Sequence, residues 1–315
     1  MRIIFFGTPD YVIPVLDALR KKFDTSKDKT VVAVVTQAPK PTGRKQLLTY
    51  SPVDGYAFKR KIPIFHSSRE LLQKDIEADL GILAAYGEII PPEVVKLFPK
   101  GILNIHPSLL PKFRGASPIQ GAIALGEKET GVTIIRLDDK VDHGDIYSQF
   151  TEEILPNDTT ESLRKRLFER SAEVLVTLIP AYLAGKIHPR KQDEGQATFT
   201  IRTDKAHGLI PYAYFEAALK GKSLKENWSI GFTKDIGLSP APDVIERFIR
   251  AMYPWPEAWT LLRLSATEGQ GRRLKILRAH LEDGKLVPDE VQLEGKNPVS
   301  WEEFKRGYPQ VSFAN

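Results

Sequence analysis

The chain begins with an apolar run that leads into a turn, Arg2-Ile3-Ile4-Phe5-Phe6-Gly7-Thr8-Pro9-Asp10. A helical pattern follows as far as Lys22, and further short apolar runs recur at residues 31–36, 80–85, 101–105 and 131–137. Uninterrupted apolar strands need cover on both faces, so strands of this kind that alternate with helices predict an α/β fold. We expect a mostly parallel sheet flanked by helices.

The second half of the chain has a different pattern. A long helical pattern over residues 159–184 is followed by a polar, basic stretch that is typical of a linker. A short helical pattern at 243–253 then precedes strand-like runs at 258–265, 272–281 and 287–293, separated by glycine-containing turns. Their spacing predicts a small β-barrel or sandwich. We expect a first domain over residues 1–190, a linker over 191–205 and a C-terminal domain over 206–315.

The composition is that of an ordinary globular protein. Of the 315 residues, 42% are hydrophobic and 27% charged, which argues against disorder, and the absence of cysteine excludes thiolate chemistry. The first apolar run is too short for a signal peptide, and no stretch approaches the roughly 20 apolar residues of a membrane span. We therefore expect a cytoplasmic protein with no membrane partner. The formal charge of +5 permits an RNA partner but equally fits a mildly basic enzyme.

The densest polar motif lies at the end of the run over residues 101–105. Asn104 and His106 are two residues apart, so both side chains leave the same face of a strand. Ligands of open α/β sheets bind beyond the carboxyl ends of the strands, which makes this pair a candidate site. An amide and an imidazole can together polarise a carbonyl group and accept or relay a proton.

An aspartate-rich loop, residues 138–145, follows the next apolar run. A carboxylate from this loop would orient His106 and favour its charged form, and the combination suits acyl transfer to a substrate amine. The residues alone leave other interpretations open, namely ordinary turn residues, a solvated loop or a calcium site. Calcium-loop spacing is absent, so we expect no metal, and the missing G-x-G-x-x-G pattern disfavours hydride transfer.

Segments in the same order along the chain resemble the folate-dependent formyltransferases. They are residues 6–10, 36–37, 43–44, 51–53, 85–87, 103–121, 129–134 and 142–145. Residues 250–256, 290–296 and 303–307 resemble the second domain of the branch that formylates initiator methionyl-tRNA. The resemblance implies a Rossmann-like catalytic domain, an OB-like C-terminal barrel that binds tRNA, and 10-formyltetrahydrofolate as the formyl donor.

The resemblance also implies roles for individual residues. The family's catalytic residues match Asn104, His106 and Asp142. The folate-contacting positions are expected at Ser108, Leu109, Leu110, Pro111, Tyr86, Gly87, Ile89 and Asp138. The tRNA acceptor stem is expected to contact Arg44 and Lys45 in a basic loop, and Arg272 and Lys275 on the C-terminal strands. A basic loop is most often simply solvated, so charge alone would not assign this role.

Three features depart from the family pattern. His143 stands where the family usually has threonine, the loop after Arg44 has less lysine, and the stretch 209–242 is long. Two alternatives therefore stay open, a formyltransferase for an amino sugar nucleotide and a 10-formyltetrahydrofolate hydrolase. A non-catalytic RNA-binding protein would not need the Asn, His and Asp set. We expect a monomer that binds folate and initiator methionyl-tRNA.

Overall fold

The computed structural model describes residues 1–43, 46–74, 76–234, 236–263, 271–309 and 312–313. The chain forms two compact units, each assembled from several segments. The first unit comprises residues 1–114, 131–152 and 164–197, and the second comprises residues 115–130, 153–163 and 198–315. The predicted domain bounds, 1–190, 191–205 and 206–315, remain a prediction.

The strands are numbered in chain order. They are β1 (Ile3–Gly7), β2 (Val31–Val35), β3 (Lys40–Thr42), β4 (Leu47–Thr49), β5 (Ile64–Phe65), β6 (Leu80–Ala84), β7 (Ile102–His106), β8 (Arg114–Gly115), β9 (Glu129–Arg136), β10 (Ile146–Glu153), β11 (Phe199–Thr200), β12 (Trp228–Ser229), β13 (Gly237–Leu238), β14 (Ala258–Arg263), β15 (Arg272–Glu282), β16 (Lys285–Leu293), β17 (Val299–Ser300) and β18 (Ser312–Phe313).

The α-helices are numbered in the same way. They are α1 (Ile13–Phe23), α2 (Pro52–Lys59), α3 (Pro92–Val95), α4 (Pro118–Ala124), α5 (Thr160–Leu183), α6 (Tyr212–Leu219), α7 (Pro242–Met252) and α8 (Trp301–Gly307). Short 3₁₀ helices cover Asp10–Val12, Ser68–Gln73, Glu194–Gln196 and Ala206–Gly208. Pro14 and Pro52 stand in the first turns of α1 and α2, where a missing backbone N–H costs nothing.

The first unit is built around a seven-stranded sheet with the order β10-β9-β7-β6-β1-β2-β5. The pairs β1–β2, β1–β6, β2–β5 and β6–β7 are parallel, whereas β9 runs antiparallel to β7. Every residue of β1 and β7 is buried, as the uninterrupted apolar runs predict for strands covered on both faces. The order reverses beside β1, so the carboxyl ends of β1 and β6 border the crevice in which such sheets bind ligands.

The second unit contains a five-stranded antiparallel sheet with the order β17-β16-β15-β14-β18. Helix α7 is amphipathic, and its buried side chains include Val244, Ile245, Phe248 and Ile249. Phe248 packs against Trp228 with ring centroids 4.7 Å apart. The core of this unit thus lies between helix and sheet, with polar residues left on the outer faces.

The predicted fold class is confirmed: a mostly parallel sheet flanked by helices is accompanied by a C-terminal antiparallel sheet domain. The predicted helices at 159–184 and 243–253 correspond to α5 and α7. Closure of the antiparallel sheet into an OB-like barrel remains a prediction. Within the described residues, no helix is both long enough and apolar enough to cross a bilayer.

Candidate active site

Strand β7 presents Asn104 and His106 from its carboxyl-terminal half. Asn104 lies opposite Leu83 of the parallel strand β6, and His106 lies opposite Thr133 of the antiparallel strand β9. The two residues are 6% and 4% exposed, so both polar side chains have been withdrawn from water. A buried polar group is costly unless it is hydrogen-bonded, and both side chains are.

The aspartate-rich loop brings Asp142 to this pair. Asn104 Nδ2 donates to Asp142 Oδ1 at 3.1 Å, and His106 Nδ1 lies 3.4 Å from Asp142 Oδ2. Asp142 has a φ of +49°, a left-handed conformation that is uncommon for a residue with a side chain. Strained backbone of this kind persists only where the surroundings fix it, and it clusters at functional sites. Asp142 therefore contacts both of the side chains with which it is predicted to act.

The second ring nitrogen of His106 is also engaged. Its Nε2 lies 3.0 Å from the carbonyl oxygen of Phe113, a residue with a φ of +59°. Both ring nitrogens thus face oxygen acceptors, a carboxylate on one side and a carbonyl on the other. An imidazolium can donate to both acceptors, whereas a neutral ring has only one N–H.

The segment Ser108–Pro111 follows directly and is tied to the protein. Ser108 is fully buried, and its hydroxyl donates to the carbonyl of Lys112 at 2.6 Å. The Leu110 N–H donates to Thr133 Oγ1 at 3.0 Å, and the Leu110 carbonyl accepts from Gln149 Nε2 at 3.0 Å. Leu109 and Pro111 are partly exposed. The segment is a loop next to His106 that these hydrogen bonds hold to the first unit.

The loop after β6 contains Tyr86, Gly87 and Ile89. The Tyr86 side chain is completely buried, packs edge-on against Phe6, and accepts a hydrogen bond from the Ser68 N–H. Its hydroxyl donates to Glu88, while its carbonyl accepts from Thr8 at 2.9 Å. The Tyr86 ring is thus a core side chain that anchors the loop. By contrast, Ile89 is 86% exposed.

Asp138 lies in a cluster of charged side chains that also contains His143 and Glu194. Its carboxylate faces His143 Nδ1 at 2.5 Å and accepts from the Lys140 N–H. His143 Nε2 lies 3.5 Å from the Glu194 carboxylate. Hydrogen bonds from Arg114 lower the pKa of Glu194 below its ordinary value, and the charges of Arg114, His143 and Lys140 act in the same direction. Glu194 is therefore held in its ionised form.

Several site residues were not among those predicted as functional. Phe113 and Arg114 lie within the motif that resembles the formyltransferases, but they were given no role. Gln192 and Glu194 lie in the stretch predicted as a linker, yet both contact Arg114 in the first unit. No pattern in the sequence marks these two residues, because their partners are about 80 positions away in the chain.

The four predicted tRNA-binding residues have different outcomes. Arg44 and Lys45 lie outside the described residues. Arg272 begins β15, and Lys275 of the same strand forms an ion pair with Glu257. The neighbouring Arg273 stacks on the Trp259 ring, with its guanidinium carbon 4.1 Å from the ring centroid. The start of β15 therefore carries three cationic side chains within the second unit.

Comparison with known proteins gives the class of enzyme that this fold and site define. Residues 1–179 match the model of the formyl transferase family, and residues 239–286 match the model of its C-terminal domain. The chain belongs to the formyl transferase family, and it is an enzyme of that class.

Similar proteins narrow the class further. The chain is 37% identical to methionyl-tRNA formyltransferase from Buchnera aphidicola, over 83% of this chain and 76% of the relative. It is 39% identical to the Chloroflexus aggregans methionyl-tRNA formyltransferase, over 89% and 80% of the two chains. The Thermus thermophilus protein of the same name is 34% identical, over 98% and 96%.

Solved structures of low sequence identity share the fold. The methionyl-tRNA formyltransferase from Clostridium thermocellum superposes with a TM-score of 0.56 at 22% identity, covering 93% of this chain and 98% of that one. An N-formyltransferase from Helicobacter canadensis, in complex with folinic acid and dTDP-3-aminofucose, gives a TM-score of 0.59 at 18% identity, covering 90% and 88%.

Proposed function

We propose that this formyltransferase transfers the formyl group of 10-formyltetrahydrofolate to the free amino group of initiator methionyl-tRNA, producing N-formylmethionyl-tRNA for translation initiation. The observation that supports it most directly is the contact of Asp142 with both Asn104 and His106, in a chain 34–39% identical to three methionyl-tRNA formyltransferases. No protein nucleophile is required, because the substrate amine attacks the formyl carbon itself.

The proposed catalytic residues are Asn104, His106 and Asp142. A bond forms between the amine nitrogen and the formyl carbon, and the bond from that carbon to the folate nitrogen breaks. The proton lost by the amine is gained by the folate nitrogen. Negative charge grows on the formyl oxygen in the transition state, where the second N–H of the Asn104 amide can stabilise it. Asp142 orients the His106 ring.

His106 is proposed as a second donor to the formyl oxygen, but the Phe113 carbonyl already accepts from its ring. The Nε2 hydrogen that would reach the formyl oxygen is directed at the Phe113 carbonyl. The formyl oxygen must therefore share this hydrogen or replace the carbonyl as its acceptor. The His106 donor therefore weakens one hydrogen bond as it forms another, and the net gain comes from the negative charge on the formyl oxygen, which makes it a stronger acceptor than a neutral carbonyl.

We assign folate binding to the two loops at the carboxyl ends of β6 and β7. Ser108, Leu109, Leu110 and Pro111 follow His106 along the chain, and Tyr86, Gly87 and Ile89 form the other loop. Asp138, in the aspartate-rich loop, is the remaining proposed folate contact. Because the Tyr86 side chain belongs to the core, its contribution is through the backbone. The donors and acceptors of a pterin edge can pair with loop N–H and C=O groups.

For the tRNA, we assign phosphate contacts to Arg44, Lys45, Arg272 and Lys275. Cationic side chains on a strand surface can neutralise phosphates without reading sequence. A cytoplasmic, monomeric enzyme would meet both substrates in solution. The long stretch 209–242 contains α6, β12 and β13 in the second unit, and we assign it no direct contact with a substrate.

One assay with three acceptors tests the proposal. The protein is given 10-formyltetrahydrofolate together with methionyl-tRNA, with an amino sugar nucleotide, or with water alone, and formylated products are quantified. We expect product with methionyl-tRNA only. A folate-binding protein that formylates the sugar nucleotide, or that only hydrolyses the donor, would overturn the proposal in favour of the corresponding alternative.

A further inference from the structure

A buried arginine, Arg114, forms hydrogen bonds with Gln192 and Glu194. Arg114 is 3% exposed, and its Nη1 and Nη2 donate to the two carboxylate oxygens of Glu194 at 2.9 and 2.5 Å. Its Nε and Nη2 also donate to Gln192 Oε1, at 3.1 and 2.8 Å. The guanidinium plane thus fixes the position of the Gln192 amide oxygen through two hydrogen bonds.

The other end of the Gln192 amide holds the loop backbone. Gln192 Nε2 donates to the carbonyl of Asp142 at 2.9 Å and to the carbonyl of Gly144 at 2.8 Å. Only this orientation of the amide matches donors with acceptors, because the reversed amide would direct its oxygen at two carbonyls and its NH₂ at a guanidinium. Arg114 therefore determines which way Gln192 faces.

The loop needs such support because its backbone is constrained. Asp142 is in the left-handed region, and a Cβ at Gly144 would lie 1.8 Å from the Arg136 carbonyl oxygen. Position 144 thus accepts no side chain in this conformation. The Asp142 carboxylate is held by Asn104 and His106 from one side, while Gln192 holds its carbonyl from the other.

We propose that Gln192, oriented by Arg114, is a positioning residue that fixes Asp142 against His106 and Asn104. This inference rests on the proposed function, because it takes Asp142 as catalytic. Gln192 acts through the backbone of residues 142–144 and needs no contact with substrate. A displacement of about 1 Å at a catalytic group can cost about 100-fold in rate, so a residue that prevents it affects turnover rather than substrate affinity.

The sharpest variant is Gln192→Glu, which keeps the shape of the side chain but directs a carboxylate oxygen at two carbonyl oxygens. We expect kcat to fall roughly 10- to 100-fold, with KM for 10-formyltetrahydrofolate and the thermal midpoint near those of the parent protein. Gln196→Glu is the matched control. It makes the same change four residues on, where the side chain donates to Asp193, and should leave kcat unchanged.

Combining Gln192→Glu with Asp142→Asn separates positioning from a structural role. If Gln192 acts through Asp142, the double variant is no slower than Asp142→Asn alone. Multiplied losses would overturn the inference, as would an unchanged kcat in Gln192→Glu. Should the glutamate variant fail to fold, Gln192→Met removes the two hydrogen bonds to the loop, together with the two from Arg114, without adding a charge. The same loss of kcat is expected.

A readout that does not depend on activity distinguishes this inference from the proposed function. Amide hydrogen exchange of residues 138–145 should be faster in Gln192→Glu than in the parent protein and unchanged in Gln196→Glu. An unchanged exchange rate in both variants overturns the positioning role. A parent protein that binds folate but transfers no formyl group to any acceptor overturns the proposed function, and hydrogen exchange still decides the positioning of the loop.

Discussion

Asn104 contributes one polar side chain to the site, and its removal should affect the chemical step. Asn104→Ala deletes the proposed donor to the formyl oxygen while Asp142 keeps its contact with His106. Loss of one such donor typically costs about 100- to 1,000-fold in kcat. Steady-state kinetics at saturating methionyl-tRNA would measure it, with thermal unfolding to confirm the fold. A kcat within about threefold of the parent would exclude Asn104 from the role.

Tyr86 is expected to contribute to stability rather than to the chemical step, and its contribution changes at high pH. Burial of its hydroxyl and the nearby Glu88 carboxylate raise the pKa of Tyr86 to about 12. The folded protein therefore holds this proton more tightly than the unfolded chain, so the stabilisation is complete below pH ~10 and declines as the pH rises toward 12.

Tyr86→Phe should remove that part of the pH dependence. The variant starts less stable, since the hydroxyl loses its bonds to Glu88 and Ser68, but its free energy of unfolding should fall less steeply between pH 10 and 12. Denaturant unfolding at a series of pH values measures the two slopes. Equal slopes for parent and variant would show that the Tyr86 proton is not linked to folding.

At the residue scale, the proposed catalytic residues could be brought together from sequence only where positions close in the chain are also close in space. Asn104 and His106 share a strand face because they are two residues apart, which is a local rule. Asp142 follows β9, which runs antiparallel to β7 and ends beside Leu103, so the strand pattern alone does not bring its loop to the pair. Gln192 is 50 residues further along the chain from Asp142, and only the folded chain brings its amide to that loop.

Helix α8 offers a test at the scale of one element. Its N-terminal Ser300 and Glu303 form a capping box, in which Ser300 Oγ accepts from the Glu303 N–H at 3.2 Å. The helix holds Phe304, 2% exposed, in the core of the second unit with Leu262 and Val291. Loss of a capping serine typically costs about 1 kcal/mol of stability.

Ser300→Ala should therefore lower the free energy of unfolding by about 1 kcal/mol. Hydrogen bonds from the Ser300 N–H and from the Ser300 hydroxyl lower the pKa of the Glu303 carboxyl. The substitution keeps the first bond and removes the second, whose contribution is present at neutral pH and is lost as the pH falls through the lowered value. Denaturant unfolding followed by tryptophan fluorescence measures the difference. The exposed Ser223→Ala is the control, and an equal effect of both substitutions would contradict a capping role.

Elements with a strong apolar pattern were predictable, and those with a mixed pattern were not. Strands β1, β6 and β7 follow from uninterrupted apolar runs, and α7 follows from its amphipathic period. Strand β10, Ile146-Tyr147-Ser148-Gln149-Phe150-Thr151-Glu152-Glu153, is largely polar and was not predicted. It lies at the edge of the sheet, where only one neighbour and partial burial are needed.

The organisation of the whole chain depends on contacts between distant segments, which changes in composition along the sequence do not reveal. Changes in composition predict contiguous domains, whereas the second unit also includes residues 115–130 and 153–163. Thr160 in the second of these segments donates to the Ala251 carbonyl of α7 at 2.7 Å, and helix α4 packs on α7. Such contacts between distant segments are invisible to any local pattern.

The net charge of +5 is too small to name a polyanionic partner, so binding of tRNA should depend on local cations. Among the residues that the structure describes, Arg272 has no ion-pair partner, whereas Lys275 pairs with Glu257. Arg272→Gln should weaken binding of methionyl-tRNA and reduce the slope of log K against log salt by about one, the value for one lost phosphate contact.

Lys285→Gln provides the control for Arg272→Gln. Lys285 lies at the far end of the same β15–β16 hairpin, so its removal changes the net charge of the protein equally without touching the proposed surface. Binding of methionyl-tRNA at several salt concentrations should separate the two variants, and binding of the folate donor should be unchanged in both. If the two substitutions reduce the slope equally, the tRNA responds to total charge, and the assignment of a phosphate contact to Arg272 fails.

Lys275→Gln should reduce the slope by an amount between those of Arg272→Gln and Lys285→Gln, because the Glu257 carboxylate already neutralises part of the Lys275 charge.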